Sequence, residues 1–121
     1  MIIHKDDAPT RPIDRCHDGE GLLHMTEMLG EYKRQAGGVK FIHDNIVEPG
    51  ASIGEHTHTD DEEVYLIIDG RGTMRVDGVE ERVGPGDICL TRPGHSHSLT
   101  NSDDGPMHLI VIGLNVQPQS V

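Results

Sequence analysis

Short β-prone runs recur along most of this chain at near-regular intervals, each closed by a turn bearing Gly or Pro, and that rhythm constrains the fold more than any other feature. The runs are Leu22 to Leu29, Val39 to Val47, Ser52 to Thr57, Glu63 to Ile68, Thr73 to Val76, Glu80 to Val83, Asp87 to Leu90, His97 to Thr100 and Met107 to Leu114. Pro49-Gly50, Asp69-Gly70, Asp77-Gly78, Gly84-Pro85-Gly86, Pro93-Gly94 and Asp104-Gly105-Pro106 mark breaks between them, with residues whose backbone angles reverse a chain. Val and Ile outnumber Ala and Leu, a balance that suits a pleated surface better than a helix. The expectation is an all-β domain, barrel or sandwich. Only Gly30 to Gly37 leaves room for a helical turn. Residues 1–21, polar and broken by Pro9, Pro12, Gly19 and Gly21, read as an N-terminal arm, 22–116 as the β-barrel domain and 117–121 as a fraying tail.

A length of 121 residues suits one core and one site. The formal charge of -11 repels a phosphate backbone or an anionic membrane surface, which disfavours nucleic acid and membrane as partners. The longest apolar runs, Val64 to Ile68 and Leu109 to Ile112, fall far short of the roughly 18 residues that span a bilayer. Met1-Ile2-Ile3-His4-Lys5-Asp6-Asp7 lacks the basic-then-apolar order of a secretory signal, so the expected location is cytoplasmic. Cys16 and Cys89 make no zinc or redox spacing and read as free thiols.

In Glu63-Val64-Tyr65-Leu66-Ile67-Ile68 the apolar residues do not alternate, so both faces of the strand are expected to be covered. If Glu63, Tyr65 and Ile67 face inward, then Val64, Leu66 and Ile68 form an outward apolar stripe. Such a stripe calls for a partner surface, and we expect a homodimer, the alternative cover being the N-terminal arm.

The most informative spacing lies in Gly50-Ala51-Ser52-Ile53-Gly54-Glu55-His56-Thr57-His58-Thr59-Asp60-Asp61-Glu62-Glu63. His56 and His58, two apart on a strand, share a face, and a short turn returns Glu63 beside them. Two imidazoles and a carboxylate are an N/O set for a divalent transition ion with positions left open. Farther on, Gly86 to His97 ends in a histidine that can supply a fourth ligand. His95 competes with His97, two residues earlier and beside the Pro93-Gly94 turn.

These stretches resemble the cupin family. Its first motif, G-x5-H-x-H-x4-E-x6-G, is met at every defined position by Gly50, His56, His58, Glu63 and Gly70. Its second, G-x5-P-x-G-x2-H-x3-N, is met by Gly86, Gly94, His97 and Asn101, with the proline displaced by one residue to Pro93. The resemblance implies a double-stranded β-helix, or jelly-roll, barrel. It further implies manganese, iron, nickel or zinc held by His56, His58, Glu63 and His97. It favours His97 over His95 as the ligand.

Around that set, Tyr65 falls on the ligand face, as general acid or base or as core filler, and His95 sits at the expected mouth as a second proton-transfer candidate. His108 is a pocket candidate, and Asn101 reads as a turn residue. His4, His17, His24 and His43 carry no spacing signal and read as surface or satisfied histidines. Asp60, Asp61 and Glu62 read as a solvated turn rather than as extra ligands. Arg71, Arg75, Arg82 and Arg92 are possible anion partners with unassigned facing. The resemblance adds one negative: oxalate-type decarboxylases of the family carry an arginine three residues before the first histidine, where this chain has Ile53. Two functions stay open. One is a metal-dependent lyase, isomerase or oxygenase acting on a small oxygen-rich metabolite such as a carboxylate or sugar derivative. The other is a noncatalytic small-molecule-binding or sensing protein whose metal is structural or absent.

Overall fold

The computed structural model describes residues 1–35 and 37–116, so the expected tail over 117–121 lies outside the described residues. Its strands, in chain order, are β1 (Thr10–Asp14), β2 (Leu22–Glu27), β3 (Val39–Val47), β4 (Ser52–Thr57), β5 (Asp61–Asp69), β6 (Gly72–Val76), β7 (Val79–Val83), β8 (Ile88–Thr91), β9 (Ser96–Thr100) and β10 (Met107–Asn115). They form a six-stranded sheet ordered β1-β2-β3-β10-β5-β8 and a four-stranded sheet ordered β4-β9-β6-β7. Every pairing is antiparallel. The two sheets are the all-β architecture that the strand spacing predicts, in the jelly-roll form that the family resemblance implies.

Local chemistry explains the joints. Asp77 and Gly78 join β6 to β7 with φ of 49° and 84°. Positive φ at both central positions is what a two-residue hairpin needs to match strand twist. Gly30–Gln35 takes one short 3-10 helix where the sequence leaves room for a helical turn. On β5 the side chains alternate between buried and half-buried, with Tyr65 and Ile67 inside and Val64 and Leu66 outside, as period two requires. On β10, Met107, Leu109 and Val111 enter the same core, which also takes Leu23, Val47, Ile53, Met74 and Leu99.

The N-terminal residues depart from the sequence expectation. Thr10–Asp14 is not a loop but the edge strand β1, in register with β2 from Thr10 opposite Thr26 to Asp14 opposite Leu22. Pro12 stands within it because an edge strand has one side with no ladder to donate to. Three other strands separate β1 from β5, so β1 does not cover the outward stripe of β5. That stripe continues onto the exposed Ile88 and Leu90 of β8. Among the described residues no helix is long and apolar enough to cross a membrane.

Candidate metal centre

Antiparallel pairing sets His56 of β4 directly opposite His97 of β9. His58 follows immediately after β4, and Glu63 points inward from β5. The four ligand atoms of His56, His58, Glu63 and His97 lie within 4.8 Å of one another. Nε2 of His97 is 3.0 Å from Nε2 of His58 and 3.0 Å from Nε2 of His56. Oε1 of Glu63 is 3.1 Å from the His97 Nε2 and 3.4 Å from that of His58.

The outer nitrogens decide what the inner ones carry. His56 donates its Nδ1–H to the Gly54 carbonyl at 2.8 Å, and His58 donates its own to the Asp61 carboxylate at 2.9 Å. A carbonyl or an ionised carboxylate only accepts, so in the neutral ring each Nε2 is left with a lone pair. The His97 Nδ1 is 2.7 Å from the Thr91 hydroxyl, which anchors the third ring. Burial alone would raise the Glu63 carboxyl, but the imidazoles of His56 and His97, with the charge of His58, hold it well below the usual carboxylate range. Burial pushes the His97 imidazole down toward its neutral form. The Nε2 atoms of three imidazoles, two of them fixed as lone-pair donors in the neutral ring, and one ionised oxygen thus face a common point, and the Glu63 oxygen is buried with no hydrogen-bond partner among the described residues. Repulsion of this kind becomes attraction around a divalent cation, and the donor set suits one.

His56, His58 and Glu63 of the cluster line a cavity of about 600 Å³ between the two sheets. Tyr65 lines it, 2% exposed, with its ring centroid 4.9 Å from that of His97. Burial, and then the Glu63 carboxylate, push the Tyr65 phenol well above its usual range. Ile53, 3% exposed, forms an apolar part of the wall. The fold and this cluster are what the cupin-domain family model captures, and that model matches residues 45–113. The chain belongs to the cupin family.

This cupin is 25% identical over 112 residues to an oxalate-binding protein from Thermotoga maritima, across 93% of this chain and 92% of that protein. It is 37% identical over 109 residues to an acireductone dioxygenase from Schizosaccharomyces pombe, across 78% of this chain and 58% of that protein, so it spans little more than half of the dioxygenase. The crystal structure of a predicted oxalate decarboxylase from Thermotoga maritima superimposes with a TM-score of 0.88 at 23% identity. That match covers 96% of this chain and 100% of the other, and it shows a shared fold.

Several of the cupin's polar residues stand where sequence spacing does not place them. The imidazole of the proton-transfer candidate His95 is turned to Asp77 in the β6–β7 turn and is half exposed; it does not line the cavity. His95 serves the site through its backbone, its carbonyl accepting from the His58 N–H at 3.1 Å. His108 points to the outer face, 2.8 Å from Asp44, because its neighbours Met107 and Leu109 take the inward positions on β10. Asn101 is the turn residue expected, donating to the Val47 and Gly105 carbonyls. Asp61 is not solvated: it is buried, fixes His58 and accepts from Lys40 at 2.7 Å. None of Arg71, Arg75, Arg82 and Arg92 lines the cavity, whereas Arg11 does.

The largest omission is Cys16 and His17, both of which line the cavity. The His17 ring stacks on His56 of the cluster, with centroids 3.8 Å apart and planes 13° apart. Burial, then the proximity of His56, lower the His17 imidazole from its ordinary value. The turn that carries it holds Arg15, His17 and Asp18 at φ of 53°, 51° and 61°. Left-handed backbone at a residue other than glycine costs on the order of 1 kcal/mol and persists where the surroundings enforce it. Here Ser52 donates its N–H to the Glu20 carbonyl at 2.8 Å, and Gly19 lies so close to Gly54 that neither has room for a Cβ. Glycines at 19 and 54 are the sequence signal that could have disclosed this contact.

Proposed function

We propose that this cupin is a divalent-metal-dependent enzyme of lyase, isomerase or oxygenase type, acting on a small oxygen-rich metabolite such as a carboxylate or sugar derivative. The observation that carries it is the convergence of three imidazole Nε2 atoms and an unpartnered carboxylate oxygen beside a cavity with room for a ligand. His56, His58, Glu63 and His97 would hold manganese, iron, nickel or zinc, while Asp61, Thr91 and the Gly54 carbonyl orient the rings. When bound, such an ion polarises a carbonyl or carboxylate, and iron adds dioxygen chemistry. Tyr65 is the group we assign to touch the bound ligand, with its hydroxyl as hydrogen-bond donor beside the cluster. The apolar Ile53 three residues before His56 supports a reaction other than oxalate decarboxylation.

Elemental analysis of tag-free protein tests this directly. Near one equivalent of manganese, iron or nickel per chain, lost in a His56→Ala, His97→Ala double variant, is the expected result. Zinc or no metal, indistinguishable from the variant, would favour the noncatalytic binding or sensing role instead.

A homodimer is part of the same proposal. The outward stripe of Val64, Leu66 and Ile68 runs on to Ile88 and Leu90, with Ile68 44% and Ile88 66% exposed. An uninterrupted apolar face of this kind fits a second copy better than water. A monomeric mass by light scattering at micromolar concentration would defeat the dimer. The two free cysteines suit a reducing compartment, in keeping with a cytoplasmic protein.

A further inference from the structure

We propose that the cavity beyond the cluster recognises a polyhydroxylated carboxylic acid, with Asn45 and Glu27 accepting from its hydroxyls and Arg11 taking its carboxylate; the inference rests on the ligand lying in the metal cavity. Asn45 of β3 stands in register with Leu109 and Met25, both inward, and shares their facing. It is 5% exposed and lines the cavity, yet its Oδ1 is buried without a hydrogen-bond partner among the described residues. Glu27 of β2 lies opposite His43 and is bound by it through Oε2 at 2.8 Å, leaving Oε1 buried and unpartnered. A buried acceptor without a donor is costly, and two in one wall mark a place where donors are expected to arrive. Hydroxyl groups are such donors, whereas a bare dicarboxylate at neutral pH offers none.

The charge at the mouth points to an acid. Arg11 of β1 is in register with Met25 and so shares the inward face. It lines the cavity and makes no side-chain hydrogen bond or ion pair among the described residues. Lys40, also on the wall, is committed to Asp61; of the other two lining cations, Lys33 and Arg11, the planar Arg11 fork is the one shaped to take a carboxylate through two hydrogen bonds. At about 600 Å³ the cavity falls in the range, roughly 300–1,000 Å³, that houses ligands much larger than two carbons. Phe41 and His43, stacked at 4.3 Å, add a flat wall beside these groups. The second cavity of similar size, about 590 Å³ between β6, β7 and β8, has no such set: its Arg82 is committed to Ser102 and Asp103.

Titration calorimetry with three probes separates the parts. D-gluconate carries both functions, oxalate lacks hydroxyls and D-sorbitol lacks the carboxylate. Gluconate is expected to bind at least about tenfold more tightly than either, the weight of one well-made polar contact. Asn45→Leu is expected to cost gluconate about tenfold and leave oxalate within about twofold. Arg11→Gln should weaken both acids and spare sorbitol. Glu27→Gln, which keeps the side chain's shape, gives a second reading of the hydroxyl contacts should Asn45→Leu fold poorly. Oxalate binding as tightly as gluconate, or gluconate affinity unmoved in both hydroxyl-site variants, overturns the proposal. Metal content measured on the same samples tells the two failures apart. Stoichiometric metal without a gluconate preference sinks this inference alone. Absent metal sinks the metal-site reading, and the order of the three probes still decides this one.

Discussion

Strands β4, β5 and β9 bring their groups to the cavity by side-chain alternation and cross-strand register, so His56, Glu63 and His97 arrive where extended backbone naturally sends them. The turn Arg15 to Gly19 on the adjoining wall brings His17 by backbone geometry instead, through three left-handed residues and a contact between two glycines. The first wall makes the ligand set and is stable in its own hydrogen-bond ladders. The second shapes what surrounds that set, and is docked on β4 at Ser52 and Gly54. The comparison teaches that chemistry and environment in one cavity can rest on different kinds of physical support, and can be altered separately.

The sharpest separation is expected on the ligand wall. Asp61→Asn removes the carboxylate that fixes the His58 tautomer, and metal affinity should fall by about 10–100-fold in a competition titration with a chelator. An unchanged affinity would show that β4 and β5 orient the ring without it. Gly54→Ala acts at the joint between the walls, because its Cβ would stand 2.1 Å from the His17 carbonyl oxygen and 2.7 Å from the Gly19 nitrogen. Both are backbone atoms with little freedom to move. The expected loss is about 2 kcal/mol, or roughly 5–10 °C in Tm by calorimetry, with metal content retained. A Tm within a degree of the parent would mean that the turn yields at little cost. The smallest effect belongs to His17→Ala, which removes one stacked ring, worth about 0.5–1.5 kcal/mol, and should leave metal stoichiometry untouched. Loss of metal from that variant would break the comparison, since His17 would then be a ligand.

What could be read from the chain alone follows the same division. Val39–Val47 and Ser52–Thr57 were legible to the residue, because short apolar runs between turn residues report strand boundaries. Period two gave Glu63, Tyr65 and Ile67 one shared face, and the structure turns that face inward. The grouping of His56, His58 and Glu63 came from spacing that local geometry makes meaningful, and His97 joined it through the family motif. Asp61 escaped because an acidic run reads as solvated, and its burial depends on Lys40 from another strand. His95 is only two residues from His97, but the turn before β9 sends its ring to Asp77. Arg11, Cys16 and His17 were hidden in a stretch whose Pro and Gly suggest a loose arm. Their place is set by contacts with β2 and β4, of which the glycines at 19 and 54 are the one trace in the sequence.

The hydrogen bonds on the outer nitrogens of the cluster have a kinetic consequence. Gly54, Asp61 and Thr91 hold the rings in their converging orientation as part of the folded framework, so an arriving ion meets donors already aimed at it. Little rearrangement is left to slow the encounter. Were an ion held there, its exchange would depend on access through the cavity that Arg11 and His17 also line, and a ligand lodged in that cavity would act as a stopper.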